Sequence, residues 1–226
     1  MFDRLNRAFQ QALDPDKVAQ TPRQPTLESL LPGDVVSFWD RSDYVVQAVL
    51  ECAEELNGRD ITWRWNLLDD GRVIEVTPEG TVLYERTDIV HQASADFEVL
   101  TSDPEQGGVL KAFEARVRQG TAARQPTLFE YRGQVYRVVS TGIFDARPVG
   151  AASYPKLEVW RDVNPSNPGD NVYFELEPTE DSDDPTEPNE VLGIWTTHIA
   201  LLFGRELRPA DITSIYPRAE PDPRTR

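Results

Sequence analysis

The chain has 226 residues, of which 39% are hydrophobic, and a formal net charge of −16 at pH 7. This length allows one large domain or two small ones, and the apolar content is sufficient for a hydrophobic core. Affinity for nucleic acids depends on neutralisation of phosphates by Lys and Arg, so an acidic chain of this kind is expected to have no nucleic-acid partner. Cationic partners or high solubility are the natural consequences of such a surface.

The cysteine and histidine content excludes further classes of site. Cys52 is the only cysteine and there are two histidines, so neither an internal disulfide nor a four-ligand Cys/His zinc site can form. No apolar run approaches the roughly 18 residues of a membrane span, and the start lacks the apolar segment of a signal peptide. A cytoplasmic location is therefore expected.

Residues 1–27 are predicted to form an N-terminal amphipathic helix and a polar spacer. Apolar residues recur every three or four positions and the pattern ends before Pro15. A helix this short is marginal alone, so its apolar stripe must pack on the protein body, on a partner protein or peripherally on the inner membrane. The candidate partner-binding residues are Phe2, Leu5, Phe9 and Leu13.

From residue 28 to residue 101 the pattern indicates a first β-unit. Apolar and polar residues alternate, and Asp, Pro and Gly clusters separate short segments, as in a meander of antiparallel strands. The predicted strands are Val35–Trp39, Tyr44–Leu50, Ile61–Leu68, Arg72–Val76, Thr81–Arg86 and a sixth at Phe97–Leu100.

The remaining chain is predicted to contain a connector and a second β-unit. Residues 102–126 form the connector, with a short helix that begins near Leu110 and ends at Gly120. Residues 127–217 form the second unit, which opens with a hairpin around Arg132-Gly133 and is followed by a polar tail over residues 218–226. Its other predicted parts are a loop at 140–150, strands at 157–163, 171–176, 191–203 and 212–216, and an acidic, solvated loop at 177–190.

The two units share a hairpin pattern. A shift of 92 positions (131 − 39) aligns an aromatic strand end and a following Tyr-x-Val strand in both. The aligned pairs are Trp39 with Tyr131, Tyr44 with Tyr136, and Val46 with Val138. The predicted fold is therefore mainly β: two similar antiparallel meander or barrel-like units in tandem, with a short N-terminal helix and a short connecting helix.

Over residues 30–217, short motifs follow the same order as in a known bacterial family. They are Gly33-Asp34, Tyr44-Val45-Val46, the segment 63–68, Asp70-Gly71, Ile74-Glu75-Val76, Leu83-Tyr84, the segment 129–136, Tyr173-Phe174-Glu175, Trp195 and Ile215-Tyr216-Pro217. With them the chain resembles the bacterial domain of unknown function 4178, from which it departs at Trp65-Asn66 and in the acidic loop. That family has no established activity. Its members tend to be encoded beside polyamine aminopropyltransferase-like enzymes, small membrane proteins and sometimes membrane-remodelling proteins of the phage-shock type, so the resemblance implies a polyamine- or membrane-stress-related system.

Motifs for the common enzyme chemistries are missing. The sequence has no phosphate-binding glycine loop and no HExxH motif. Any Ser/His/Asp triad would need His91 or His198, which are interpreted as ordinary surface or core histidines, and Cys52 is interpreted as a small buried hydrophobe. The acidic run from Asp181 resembles the start of a calcium loop, but Pro185 and the residues after it break the required pattern. No catalytic residue, metal or cofactor is therefore assigned.

One aromatic group suggests a binding site. Trp63 and Trp65 project from the same face of a predicted strand, and neighbouring strands supply more aromatic rings and a carboxylate. Such a group can hold an organic cation by cation–π attraction and ion pairing, or it can simply form the core of the sheet. The candidate ligand-binding residues are Trp39, Tyr44, Trp63, Trp65, Glu75 and Tyr84.

Three functions are compatible with these patterns. The leading hypothesis is a non-enzymatic accessory or adaptor protein that binds a partner protein. The alternatives are a domain that binds a small organic cation such as a polyamine, and an enzyme that uses Asp, Glu or Tyr groups brought together by the fold.

Overall fold

The computed structural model describes residues 23–56, 58–90, 97–101, 110–124, 127–150, 171–180, 188–196 and 199–218. Several predictions lie outside these residues: the N-terminal helix with Phe2, Leu5, Phe9 and Leu13, the strand at 157–163, residues 181–187 of the acidic loop, the polar tail after residue 218, and the roles of His91 and His198.

The described chain is mainly β, as predicted, and its strands form one large antiparallel sheet. Thirteen strands belong to it. They are β1 Val35–Phe38, β2 Asp43–Leu56, β3 Arg59–Leu68, β4 Val73–Val76, β5 Thr81–Val90, β6 Phe97–Thr101, β7 Thr127–Tyr131, β8 Gln134–Ile143, β9 Asp145–Pro148, β10 Val172–Pro178, β11 Glu190–Trp195, β12 Ile199–Glu206 and β13 Ile212–Tyr216.

Helical structure is limited to short elements among the described residues. The predicted connecting helix is present as α1, Leu110–Arg118, and Gly120 follows it in the left-handed conformation that commonly ends helices. Two 3-10 turns, Leu27–Ser29 and Pro209–Asp211, complete the helical elements described. None of these helices is long and apolar enough to cross a membrane.

The order of strands across the sheet is β13-β1-β2-β3-β4-β5-β12-β11-β10-β8-β7-β6, and β9 pairs with β2. Most neighbours are consecutive in the chain because hairpins connect them. Three pairings join distant parts of the chain: β13 lies on β1, β9 lies on β2, and β12 lies on β5 from Ile199 opposite Val90 to Glu206 opposite Val82. These pairings make one sheet from both halves of the chain.

Side chains of the sheet form three cores. The N-terminal core lies on one face of β1–β5, the central core lies between β2–β5 and the β10–β12 region, and the C-terminal core is covered by α1. Their large buried members include, respectively, Leu30, Phe38, Leu68 and Ile74; Trp65, Leu67, Phe144 and Leu202; and Phe113, Phe129, Phe174 and Trp195. The central core therefore depends on residues from both halves.

Two predicted segments were wrong in detail. Residues 191–203, predicted as one strand, form the hairpin of β11 and β12, in which Trp195 pairs with Ile199. Both strands are buried on both faces, so apolar residues continue without alternation up to the turn. The predicted loop at 140–150 contains the end of β8 and all of β9, whose Asp-Ala-Arg-Pro sequence is stabilised as a strand by pairing with β2.

Two glycines allow aromatic rings of β10 to lie flat on neighbouring strands. Tyr173 pairs with Gly142 of β8, and Phe174 pairs with Gly193 of β11 on the opposite face. A Cβ atom at Gly142 would overlap the Tyr173 ring and the Glu54 carboxylate, and one at Gly193 would overlap the Phe174 ring. The aromatic rings thus fill the space that the glycines leave open.

Candidate functional site

Four of the six predicted ligand-binding residues lie together in the central core. Trp65 of β3 is directly opposite Glu75 of β4, and Tyr84 of β5 follows on the same face. Trp65 and Tyr84 are buried, with 1% and 5% of their surface exposed, whereas Trp63 is half-buried and meets Trp65 edge to face at 6.0 Å between ring centroids. The pair therefore combines one sealed ring with one accessible ring.

Trp39 and Tyr44 do not join this group. Trp39 follows β1 in a turn and is 65% exposed. Tyr44 packs on the N-terminal core, where its ring lies 5.5 Å from that of Phe38 and its hydroxyl accepts a 2.7 Å hydrogen bond from Arg72. For Tyr44 the cause is a β-bulge at Gln47. This extra residue shifts the alternation of side chains along β2, so that Tyr44 lies on the opposite face of the sheet from the residues that would share its face in a regular strand.

A cavity of about 280 Å³ borders Trp63, Trp65 and Glu75. We call it the acidic pocket. Four of its lining residues are glutamates, contributed by β2, β4, the turn after β4, and β10. The polar and aromatic lining consists of Glu54, Trp63, Trp65, Glu75, Thr77, Glu79, Ser140, Tyr173 and Glu175. None of the described lining residues is Lys, Arg or His.

Glu75 lies deepest among these carboxylates. Its Oε2 atom accepts a 2.5 Å hydrogen bond from the indole Nε1–H of Trp65. Burial, together with the charges of Glu175 and Glu190, raises the pKa of Glu75 to about 7 against the lowering effect of the Trp65 hydrogen bond. A carboxyl group of this kind exchanges its proton near neutral pH.

Tyr173 and Glu54 form the side of the pocket opposite β4. The Tyr173 hydroxyl donates a 2.7 Å hydrogen bond to Oε2 of Glu54, and its ring meets that of Trp63 edge to face at 5.8 Å. Burial is the main cause that raises the pKa of Tyr173, and the hydrogen bond to Glu54 raises it as well. Glu175 is exposed at the outer edge, where partial desolvation and the nearby Glu190 carboxylate raise its pKa.

Sequence reasoning missed Glu54, Tyr173 and Glu175. The predicted second strand ended at Leu50, whereas β2 continues to Leu56, and thus Glu54 belongs to the sheet. The Tyr-Phe-Glu alternation of β10 placed Tyr173 and Glu175 on one face, but no local pattern shows that this face meets β3 and β4. That contact depends on strand pairings between the two halves, β5 with β12 and β2 with β9.

A larger groove of about 810 Å³ adjoins the acidic pocket, and we call it the outer groove. The two cavities share Glu54, Trp63, Thr77 and Pro78. The outer groove carries charges of both signs, from Glu51, Glu55, Asp60, Arg64, Asp145 and Arg147 among others. Because Trp63 borders both cavities, an elongated ligand could occupy the pocket and extend into the groove.

The structure also bears on Cys52 and on possible metal-binding groups. Cys52 is a buried free thiol in the central core, as predicted, and burial raises its pKa. Within the part of the chain that the structure describes, no three His, Cys, Asp or Glu side chains are grouped so that they could hold a metal ion.

Comparison of the chain with protein-family models, with curated proteins and with solved structures found no match.

Proposed function

We propose that the protein binds a small organic cation in the acidic pocket. The observation that carries this proposal is the combination of four glutamates, an accessible Trp63 ring and no basic side chain among the described lining residues. Aromatic rings attract ammonium groups through their π-electrons, and carboxylates compensate for the water that the cation loses on entry. A volume of about 280 Å³ lies just below the range for small-molecule sites, roughly 300 to 1,000 Å³.

The outer groove supports an elongated ligand of the polyamine type. One ammonium group would occupy the pocket near Glu75, and a second would lie beyond Trp63, beside Glu51 and Asp145. The methylene chain between two ammonium groups packs well on an indole ring, since both are apolar. The resemblance to the bacterial family stays a prediction and supports the same ligand class.

Binding is tested by titrating the full chain with spermidine and with tetramethylammonium, following tryptophan fluorescence and heat. We expect saturation at low-millimolar ligand or below. Trp63→Leu should weaken binding by roughly 2- to 30-fold, the range that cation–π contacts contribute. Trp39→Leu is the matched control, because Trp39 is exposed outside both cavities, and it should bind like wild type. No saturable signal for either ligand would exclude the proposed function.

A glycine substitution offers an independent test that removes no pocket side chain. Gly142→Ala should displace Glu54 and the Tyr173 ring, because the new Cβ atom would overlap both. Small displacements of positioned groups are costly for binding, and we expect spermidine affinity to fall by roughly tenfold. Gly80→Ala is the control, since Gly80 has open space around it and no positive φ. Equal affinities of the two variants would contradict the role of the Tyr173–Glu54 pair.

A second candidate function is acid–base catalysis, favoured by the raised pKa of Glu75, which is suited to a general acid near neutral pH. Incubation with spermidine or other amines, followed by mass spectrometry, separates the two functions. Conversion of the ligand that is lost in Glu75→Gln would favour catalysis, whereas unchanged ligand favours simple binding.

We also propose that the cation-binding protein acts as a non-enzymatic accessory protein that binds a partner through Phe2, Leu5, Phe9 and Leu13. The apolar periodicity of that segment supports this proposal. Deletion of residues 1–20 tests it in a pull-down from bacterial extract. An unchanged set of captured proteins would show that these residues are not required for the interaction.

The tandem arrangement of two similar units is likewise a proposal. The strand order supports it: β1–β5 form one run of antiparallel neighbours, and β7, β8, β10, β11 and β12 form another. The two runs meet through their last strands, β5 and β12. The acidic pocket would then lie between the two units and would require both.

A further inference from the structure

The four glutamates of the acidic pocket cannot all be ionised at low cost while the pocket is empty. They share one small cavity, and no described lining residue is positively charged. Like charges in a confined, partly desolvated space raise the free energy of the fully ionised state, so at least one site retains a proton.

Glu75 is the carboxylate best placed to retain that proton. Facing or approaching it are Cys52 on β2, Trp65 on β3, Tyr84 on β5, Glu175 on β10 and Glu190 on β11. All of these groups are neutral or negative, and Trp65 alone donates a hydrogen bond to it. The raised pKa of Glu75, about 7, agrees with this geometry.

We infer that the acidic pocket exchanges a proton for its cation: Glu75 is protonated in the empty pocket and releases its proton to solvent when the cation enters. This inference rests on the proposed function and specifies its regulation. The only bond broken is the carboxyl O–H bond, and the positive charge of the ligand replaces that of the proton. Trp65 continues to donate its hydrogen bond to the carboxylate, so the side chain need not move.

Exchange of this kind makes binding depend on pH. Below about pH 7 the proton competes with the ligand, and the apparent affinity should rise by up to about tenfold per pH unit. Above that pH Glu75 is already ionised, so the affinity should level off. By reciprocity, a saturating cation should lower the pKa of Glu75.

Calorimetric titration with tetramethylammonium chloride tests the inference, because this cation has no titratable proton of its own. At about pH 6.5, titrations in two buffers of different ionisation enthalpy should show release of about three-quarters of a proton per cation bound. Glu75→Gln should bind with no proton release and with an affinity that is constant between about pH 6 and pH 8. Glu180→Gln is the matched control, since Glu180 is exposed outside both cavities, and it should keep the proton release.

The outcomes separate this inference from the proposed function. Saturable binding without proton release would overturn proton exchange and leave cation binding intact. Absence of binding by wild type would overturn both. A further measurement needs no ligand: the infrared band of protonated carboxyls should be present in the free protein at about pH 6 and should be weaker in Glu75→Gln. A free protein without that band would also overturn the inference.

Discussion

Replacement of Phe174 with alanine is expected to lower the free energy of unfolding by roughly 3 to 5 kcal/mol. Phe174 is fully buried in the C-terminal core, with its ring 5.3 Å from that of Phe113 and 6.0 Å from that of Phe129. Its removal would leave a cavity between β10 and α1 and would uncover Gly193. Chemical denaturation followed by tryptophan fluorescence measures the change.

Val139→Ala on β8 is the control for this measurement, since Val139 is 36% exposed and should cost less than about 1 kcal/mol. A similar small loss in Phe174→Ala would contradict the packing of the C-terminal core. Gly193→Ala addresses the same contact from the other strand and should cost roughly 1 to 3 kcal/mol by overpacking. In the Phe174→Ala background that second cost should shrink, because the ring that the new Cβ would overlap is gone.

Glu75→Gln is expected to be more stable than wild type at alkaline pH, by up to about 3 kcal/mol. The folded-state pKa of Glu75 is raised to about 7 from an ordinary value of 4.5. Between these two pH values the folded protein therefore binds more protons than the unfolded chain. Wild-type stability should therefore fall as pH rises from about 4.5 to about 7, and the deficit should then stay constant. Solvent screening of the partly buried Glu75 carboxylate reduces this free-energy difference below the value that the full pKa difference implies.

The measurement is the difference in unfolding free energy between Glu75→Gln and wild type at about pH 5, 6, 7 and 8. Other carboxylates titrate in both proteins, so the difference isolates Glu75. Glu79 is exposed, and the difference in unfolding free energy between Glu79→Gln and wild type should be nearly constant over the same pH range. A flat difference for Glu75→Gln would contradict the burial of its carboxyl group, and a difference of opposite slope would mean that a cationic partner stabilises its charge.

Local chemistry made parts of this structure predictable. At the hairpin of β7 and β8, Arg132 and Gly133 both have positive φ, 51° and 82°, the backbone that a two-residue hairpin turn requires. Trp63, Trp65 and Leu67 share one face of β3 because side chains alternate along a strand. The helix from Leu110 to Arg118 follows from the spacing of Phe113 and Val117. Each of these features depends on residues within one element.

The face of the sheet on which Tyr44 lies was not predictable from local sequence. Without a bulge, Tyr44 would lie on the same face as Leu50, which pairs with Trp65. The extra residue at Gln47 reverses that facing, and its position is determined by how β2 pairs with β3. Trp39, five residues before Tyr44, is exposed because it lies in the turn after β1. For these reasons two of the six predicted site residues lie apart from the other four.

By itself, the sequence determined the β class, the turns, the facing of β3 and the presence of Trp65 and Glu75 at the candidate site, because propensity and alternation act over a few residues. The tertiary structure decided that Glu54, Tyr173 and Glu175 join them. That choice depends on β5 pairing with β12 across more than a hundred residues, a contact that no local pattern encodes. The acidic pocket exists because the aromatic face of the first half is covered by β10 and β11 of the second.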